Sequence, residues 1–432
     1  MTAEIVIINK NAVALAADSA VTIKNPQTQK VYNTANKLFM LSKYHPVGVM
    51  VYGTANFMGV PWETVIKIYR DELSTNSCGH LVEYADGFLS FIENSRLLFP
   101  EKLQANVFGI MCRYPLWGIR NRVDERVKSR IADSGGISDD DVEIIVNEVV
   151  NEFTATWAAD ARLPCFPETF EADLVDTYRE IIDFAIKEIL VNLPVQPLHD
   201  QLRQVCALAV TRDRWTPDSG GFVVAGFGRG DIFPVVRSYG IEAVVRNKLK
   251  FAFREAQSND VNESNRSMIL PLAQGEIVYR FIQGIDPEYK RELTNFLRSI
   301  LSVQYPNDVL ERVAGNISDT EKTDLRDHLT QLGNGIVENF WEKWTDWEHN
   351  KFVGPVLDIV GDLPKDDLAA MAESLVNLTS FKRRISPEME TVGGPIDVAV
   401  ISKGDGFIWI KRKHYFSKEL NPGFLTNYYR RG

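Results

Sequence analysis

Thr2 stands directly behind Met1. A methionine aminopeptidase removes an initiator methionine when the next residue is small, so the mature chain is expected to begin with a free α-amine on Thr2. That one residue then carries both a nucleophile and its general base. A threonine hydroxyl is a weak nucleophile at neutral pH and gains strength when a base within hydrogen-bond reach takes its proton. A free α-amine titrates near pH 8, which leaves about a tenth of it unprotonated at pH 7. A neighbouring ammonium such as Lys37 disfavours a second positive charge, and a downward shift of about one unit brings the basic fraction to roughly half. Asp18 is the carboxylate placed to keep that lysine charged and held. A tetrahedral intermediate also needs donors aimed at the developing oxyanion, and a strand end containing glycine presents backbone N–H groups with no side chain in the way.

These residues need elements to position them. Residues 4–9 (EIVIIN) and 12–17 (AVALAA) are apolar and flank the turn pair Lys10-Asn11, which reads as a β-hairpin with Asp18 closing its second strand. A polar loop holding Pro26 follows, then residues 31–41, which include Lys37. His45-Pro46 turns the chain into the apolar strand 47–52. Gly53-Thr54-Ala55-Asn56 comes next, and Pro61 opens an amphipathic helix to about Leu73, as proline does at a first helical position. The reading is four strands followed by a helix.

With those elements in place, the run resembles the start of a proteasome β-subunit and of the simpler bacterial proteasome-like peptidases of the N-terminal-nucleophile (Ntn) hydrolase class. There an N-terminal Thr precedes a strand, an Asp, a Lys and a Gly-x-Ala turn into a helix. The step of 16 residues from Thr2 to Asp18 is the family spacing, and Asn36-Lys37-Leu38-Phe39 keeps its lysine before a strand, a few residues late. The resemblance implies that Thr2 is the nucleophile, that Asp18 orients the lysine and the hydroxyl, and that Lys37 supplies positive charge. It also implies an oxyanion donor at the backbone N–H of Tyr52 or Gly53, a choice the sequence leaves open. Singly, each residue has an ordinary reading, as a second residue, a hairpin end, a solvated lysine and a strand-to-helix turn. Together and in order they form one candidate site.

The resemblance continues along the chain. Residues 221–226 and the partner strand beginning at Phe233-Pro234 look like the family's pair around an Ala-Gly turn. The Gly-x-Gly-x-Gly run there leads into a strand, whereas a phosphate loop opens a helix, so nucleotide binding is not expected. Residues 268–286 look like the family's strand, small-residue turn and helix. The family has Gly-Ser-Gly there, and this chain has Ala273-Gln274-Gly275, which makes Gln274 and Gly275 candidate site-lining residues. Residues 363–381 read as a helix, and Val392-Gly393-Gly394-Pro395 leads into a closing hairpin at 396–402 and 406–411. Val392 stands where a serine is usual. No aspartate lies three residues before it, and Glu388 or Glu390 is the available substitute; Asp397 reads as structural.

Two helical stretches separate these pieces, at 74–200 and 287–361. In the first, Ser138-Asp139-Asp140-Asp141 reads as an acidic helix start, in preference to a calcium loop. In the second, Trp341, Trp344 and Trp347 at spacings of three mark one helical face, read as packing against the insertion's own core in preference to a partner or substrate surface. The tail from His414 is aromatic and basic, suited to docking on its own domain or on a neighbour.

At 432 residues, 45% hydrophobic and 25% charged, the composition is that of an ordinary globular protein, and a net charge of −10 argues against general nucleic-acid binding. No apolar run of about 18 residues is present, so no membrane span is expected. No signal peptide is read at the N-terminus. The four cysteines and six histidines lack metal-ligand spacing, so no metal is expected and the thiols read as reduced, in a cytoplasmic protein.

The expected fold class is α+β, a four-layer αββα sandwich of the Ntn hydrolase, proteasome-subunit type, built from residues 1–73, 201–286 and 362–412. It carries helical insertions at 74–200 and 287–361 and a tail at 413–432. The expected activity is that of a threonine peptidase on a peptide or protein substrate, with no cofactor. By resemblance it forms a homo-oligomeric ring and works with a AAA+ unfoldase. Two alternatives stay open: an Ntn amidase for a small molecule, and an inactive proteasome-like assembly or regulatory module.

Overall fold

Both opening strands are buried along their whole length, which places them between two layers. β1 (Ala3–Asn9) and β2 (Val13–Ala17) pair antiparallel, with Ile8 opposite Val13. Ala3, Ile5, Ile7, Ala14 and Ala16 face one side, while Val6, Ile8, Val13, Leu15 and Ala17 face the other. This is the period of two with both faces apolar, and each fully buried Ile, Leu or Val contributes about 1.5–3 kcal/mol. The computed structural model describes residues 3–25, 28–217, 219–313, 318–386, 392–417, 419–423 and 426.

After the hairpin, β3 (Val21–Asn25) and β4 (Thr28–Tyr32) form a two-stranded ribbon where the sequence suggested only a polar loop; Pro26 lies outside the described residues. β5 (Leu38–Met40) and β6 (Val47–Tyr52) follow, and the short pair β7 (Asn56–Phe57) and β8 (Val60–Pro61) leads into α1 (Trp62–Leu73), capped by Pro61. The expected four opening strands are therefore eight, because short local pairings are too brief to show a period. α2 (Leu81–Asn94), α3 (Glu101–Ser134), α4 (Asp139–Ala159), α5 (Phe170–Ile189) and α6 (His199–Thr211) come next. Then come β9 (Gly220–Gly226), β10 (Val235–Val245), β11 (Lys248–Phe253), β12 (Asn259–Asp260) and β13 (Ser267–Ala273). α7 (Glu276–Gln283), α8 (Pro287–Arg298), α9 (Tyr305–Val313), α10 (Asp319–Glu348), α11 (Gly354–Asp362) and α12 (Lys365–Ile385) lead to the closing hairpin of β14 (Asp397–Ser402) and β15 (Gly406–Lys411).

The fold is α+β with two antiparallel sheets. One has the order β13-β1-β2-β14-β15, the other β11-β10-β9-β6-β5. Side chains of β1 and β2 meet Leu38, Met50, Val223 and Ala225 of the second sheet across a shared core. The far side of the first sheet packs on α12 through Leu368, Ala372, Leu375 and Val376, where Ala14 and Ala16 are small enough for a close approach. On the far side of the second sheet, Trp62, Ile66, Phe88 and Ile92 of α1 and α2 pack against Phe222 and Val224. The layer order is helices, sheet, sheet, helices.

α2 thus covers the same sheet face as α1, although it falls in the stretch read as the first insertion. The reverse holds for α6, which joins α3, α4 and α5 in a separate helical core touching the sheet at Ala243, Val245 and Ala252. Ser138 caps α4 and Asp141 completes the capping box, as the acidic helix start suggested. In the second helical stretch α8 buries no residue, and the tryptophan face is half covered, with Trp347 exposed.

Asn9 locks the hairpin to the helix layer. Its Nδ2 donates to Val360 O and Leu363 O, both at 2.9 Å, and its Oδ1 accepts from the N–H groups of Asn11 at 2.9 Å and Ala12 at 3.2 Å.

Candidate active site

Thr2 lies outside the described residues, and Ala3 is the first residue of β1. Asp18, one residue past β2, is buried, and its carboxylate gathers donors from four segments. Oδ1 accepts from Ala3 N at 3.0 Å and from Lys37 Nζ; Oδ2 accepts from Gly393 N at 2.9 Å and Ala20 N at 3.2 Å. The Asp18 N–H donates back to Ala3 O at 3.1 Å. Asp18 therefore grips the peptide group that joins Thr2 to Ala3.

Lys37 reaches this carboxylate from the loop ahead of β5. Val51 N donates to Lys37 O at 2.8 Å, which ties its backbone to β6. Its Nζ meets Asp18 Oδ1 and also stands 3.2 Å from Glu4 Oε1. The lysine side chain is 5% exposed and both carboxylates 0%, so these charges interact with little screening by solvent. Asp18 and Lys37, nineteen residues apart, are brought together as expected.

Glu4 was missed by the sequence reading. The signal was present: a carboxylate inside an otherwise apolar strand, two residues after the candidate nucleophile. With Glu4 included, the described charges are two carboxylates and one ammonium, a sum of −1. The positive charge of Lys37, expected to act on the Thr2 amine, is thus already matched.

Tyr52 and Gly53, the expected oxyanion donors, end β6 just beyond Val51. Gly53 has φ +89°, and a Cβ there would lie 2.8 Å from Gly220 Cα, so only glycine fits this strand end. The Tyr52 hydroxyl donates to Tyr239 O at 3.3 Å. Burial foremost pushes its phenol above the usual range; a hydrogen bond with Ser238 and the charge of Arg254 oppose that, while Glu4 adds to it.

Register sets the other candidates. β13 runs beside β1 with Ala273 opposite Ala3, so Gln274 and Gly275 follow at the strand's end. Ala273 has φ +62°, a left-handed conformation costly for a residue with a Cβ. Gln274 is buried, and its Oε1 accepts from Arg383 Nε of α12 at 2.6 Å, while Arg383 also pairs with Glu276 at 3.3 Å. Gly275 caps α7. Ahead of β14, Gly393 supplies the bond to Asp18, and Ser19 holds the same turn: its N–H donates to Gly393 O at 3.2 Å and its hydroxyl to Pro395 O. Val392 is buried; Glu388 and Glu390 lie outside the described residues. Asp397 accepts from Lys413 N at 2.8 Å and pairs with Lys413 Nζ, a structural tie to the tail.

No family model matches the chain, and no curated protein does. Among solved structures it is similar to Anbu (ancestral beta-subunit) from Yersinia bercovieri at 8% identity, over 99% of this chain and 94% of that one, with a TM-score of 0.26. At that TM-score the likeness carries no weight for fold or function. Among the described residues, no helix is long and apolar enough to cross a membrane, and no group of three His, Cys, Asp or Glu is placed to hold a metal.

Proposed function

We propose that this chain is a threonine peptidase of the N-terminal-nucleophile class on a proteasome-subunit-like αββα sandwich. The observation that carries the reading is Asp18 Oδ1, which accepts both from the Thr2–Ala3 peptide N–H and from Lys37. Cleavage of the Met1–Thr2 bond frees the amine. Thr2 Oγ then attacks the substrate carbonyl while the amine takes the hydroxyl proton, and the N–H of Tyr52 or Gly53 stabilises the oxyanion. The amine returns the proton to the leaving nitrogen, and water releases the acyl-enzyme. Asp18 holds the start of β1 in place, which is the positioning that makes such a reaction effectively unimolecular. The proposed substrate is a peptide or protein, reached within a homo-oligomeric ring fed by a AAA+ unfoldase.

The test is intact-mass analysis of the purified protein before and after an epoxyketone or β-lactone probe, beside Thr2→Ala. Loss of Met1 and a single adduct that Thr2→Ala abolishes are expected. A chain that begins at Thr2 and takes no adduct would sink the peptidase reading. The non-catalytic module then becomes the better one, in keeping with Gln274 being engaged by Arg383.

A further inference from the structure

The 30 residues of α10 carry two apolar faces, and the molecule covers only one of them. On the covered face Thr330 Oγ1 donates to Ser302 O at 3.1 Å, Ser302 Oγ donates to Asn334 Oδ1 at 2.9 Å, and a Cβ at Gly333 would lie 2.2 Å from Leu301 O. Val337 is buried on that side. The second face carries Leu332, Ile336 and Phe340, which stack at steps of four, with Trp347 two turns further on. They are 51%, 56%, 39% and 50% exposed, and a groove lined by Leu332, Gly335, Ile336, Asn339 and Phe340 runs between them. Among the described residues, none of the four apolar cores draws a side chain from α8, α9 or α10. A helix with apolar residues on two faces needs cover on both, and a continuous exposed apolar stripe marks an interaction surface.

Charge around the stripe says what covers it. α10 holds eight Asp and Glu against three Lys and Arg, a net −5. At about 100° per residue, Asp324, Glu338, Glu342 and Asp346 fall along the rim of the groove. All four are exposed, and among the described residues none has an ion-pair partner. Lys343 is the one cation lining the groove. A second copy laid on the same stripe would set −5 against −5, and an anionic lipid or nucleic acid would be repelled for the same reason. We infer that this face of α10 is a docking groove for a basic amphipathic helix of another protein, whose apolar residues cover Leu332, Ile336, Phe340 and Trp347 and whose lysines or arginines meet the four rim carboxylates. The stripe from Leu332 to Trp347 is about 22 Å long at a rise of about 1.5 Å per residue, which sets the partner helix at about four turns. At Gly335 a Cβ would meet nothing within 4 Å, which leaves room for close backbone approach. The surface is independent of Thr2 and of the reaction proposed for it.

The probe is a fluorescein-labelled peptide of leucine and lysine, about 15 residues long with its leucines at helical spacing, titrated with the full chain and followed by anisotropy. A leucine and glutamate peptide of the same pattern is the control. Saturable one-to-one binding of the lysine peptide is expected, with the glutamate peptide about tenfold weaker or worse. Ile336→Ser should weaken the lysine peptide about five- to tenfold at any salt concentration, because the lost area is apolar. Glu342→Lys should weaken it about tenfold at low ionic strength and much less at about 1 M salt. Leu97→Ser, at an apolar residue 94% exposed elsewhere on the surface, should leave binding unchanged. All three positions are exposed, so each variant should keep the wild-type melting temperature, and the comparison of the two peptides needs no variant. Absence of saturable binding, equal affinity for both peptides, or an Ile336→Ser affinity within about twofold of the wild type would overturn the inference. So would a dimer in sedimentation that Ile336→Ser dissolves, because a second copy would then occupy the stripe.

Discussion

Asp18→Asn is the sharpest probe of the site, because the substitution keeps shape and changes only what the oxygens can accept. Four donors converge on the carboxylate, two on each oxygen: Ala3 N and Lys37 Nζ, and Ala20 N and Gly393 N. An asparagine has one oxygen, so in either orientation its NH₂ faces two donors. The better choice keeps the oxygen toward Ala3 and Lys37, where Glu4 still neutralises the ammonium, and leaves Ala20 and Gly393 unmatched. Each unmatched buried N–H costs about 1–3 kcal/mol, so the two together cost about 2–6 kcal/mol, and weakening the buried ion pair adds to that. That is a large share of the roughly 5–15 kcal/mol of a whole domain. Amide hydrogen exchange at Gly393 is the suitable assay, since it reads local opening without assuming that 432 residues unfold as one unit. A loss of 4 kcal/mol lowers protection about a thousandfold. Protection within threefold of the wild type would refute the view that Asp18 ties β1 to the turn ahead of β14.

Asn9→Leu should cost about 2–4 kcal/mol, because two carbonyls of the α11–α12 junction and two hairpin N–H groups lose their partner together; an unchanged thermal midpoint would contradict this. Gly53→Ala should destabilise by at least about 2 kcal/mol and abolish probe labelling, since φ +89° and the 2.8 Å approach to Gly220 Cα both exclude a Cβ. Retained labelling would remove this strand end from the reaction. The hydrogen bond that His80 Nδ1 donates to Asp231 foremost raises the pKa of His80 above 6.5, so its contribution is full below pH 6.5 and fades as pH climbs through the raised value. The wild-type melting temperature should carry a falling component above pH 6.5 that His80→Ala lacks, measured by scanning fluorimetry at matched ionic strength.

Much of the core was legible in the sequence because its signals are local. The hairpin around Lys10-Asn11, the proline-led helix at 62–73, the strand at 267–273 and the closing pair at 397–402 and 406–411 all carry a clear period with turn residues at their ends. Insertion boundaries were less legible. α2 and α6 have similar amphipathic patterns, and only packing assigns α2 to the sheet and α6 to the helical core.

For the site, sequence by itself determined the residue types, their order and the strand ends that carry them, since spacing along a strand or turn is fixed by backbone geometry. It singled out Asp18 and Lys37, and the structure joins them. Tertiary structure alone decided the charge count. Glu4 meets Lys37 because strand alternation points it into the layer between the sheets, and Gly393 reaches Asp18 across 375 positions because β14 pairs with β2. Gln274 turns to Arg383 for the same kind of reason. Electrostatics sums over distance in space, and the fold sets those distances.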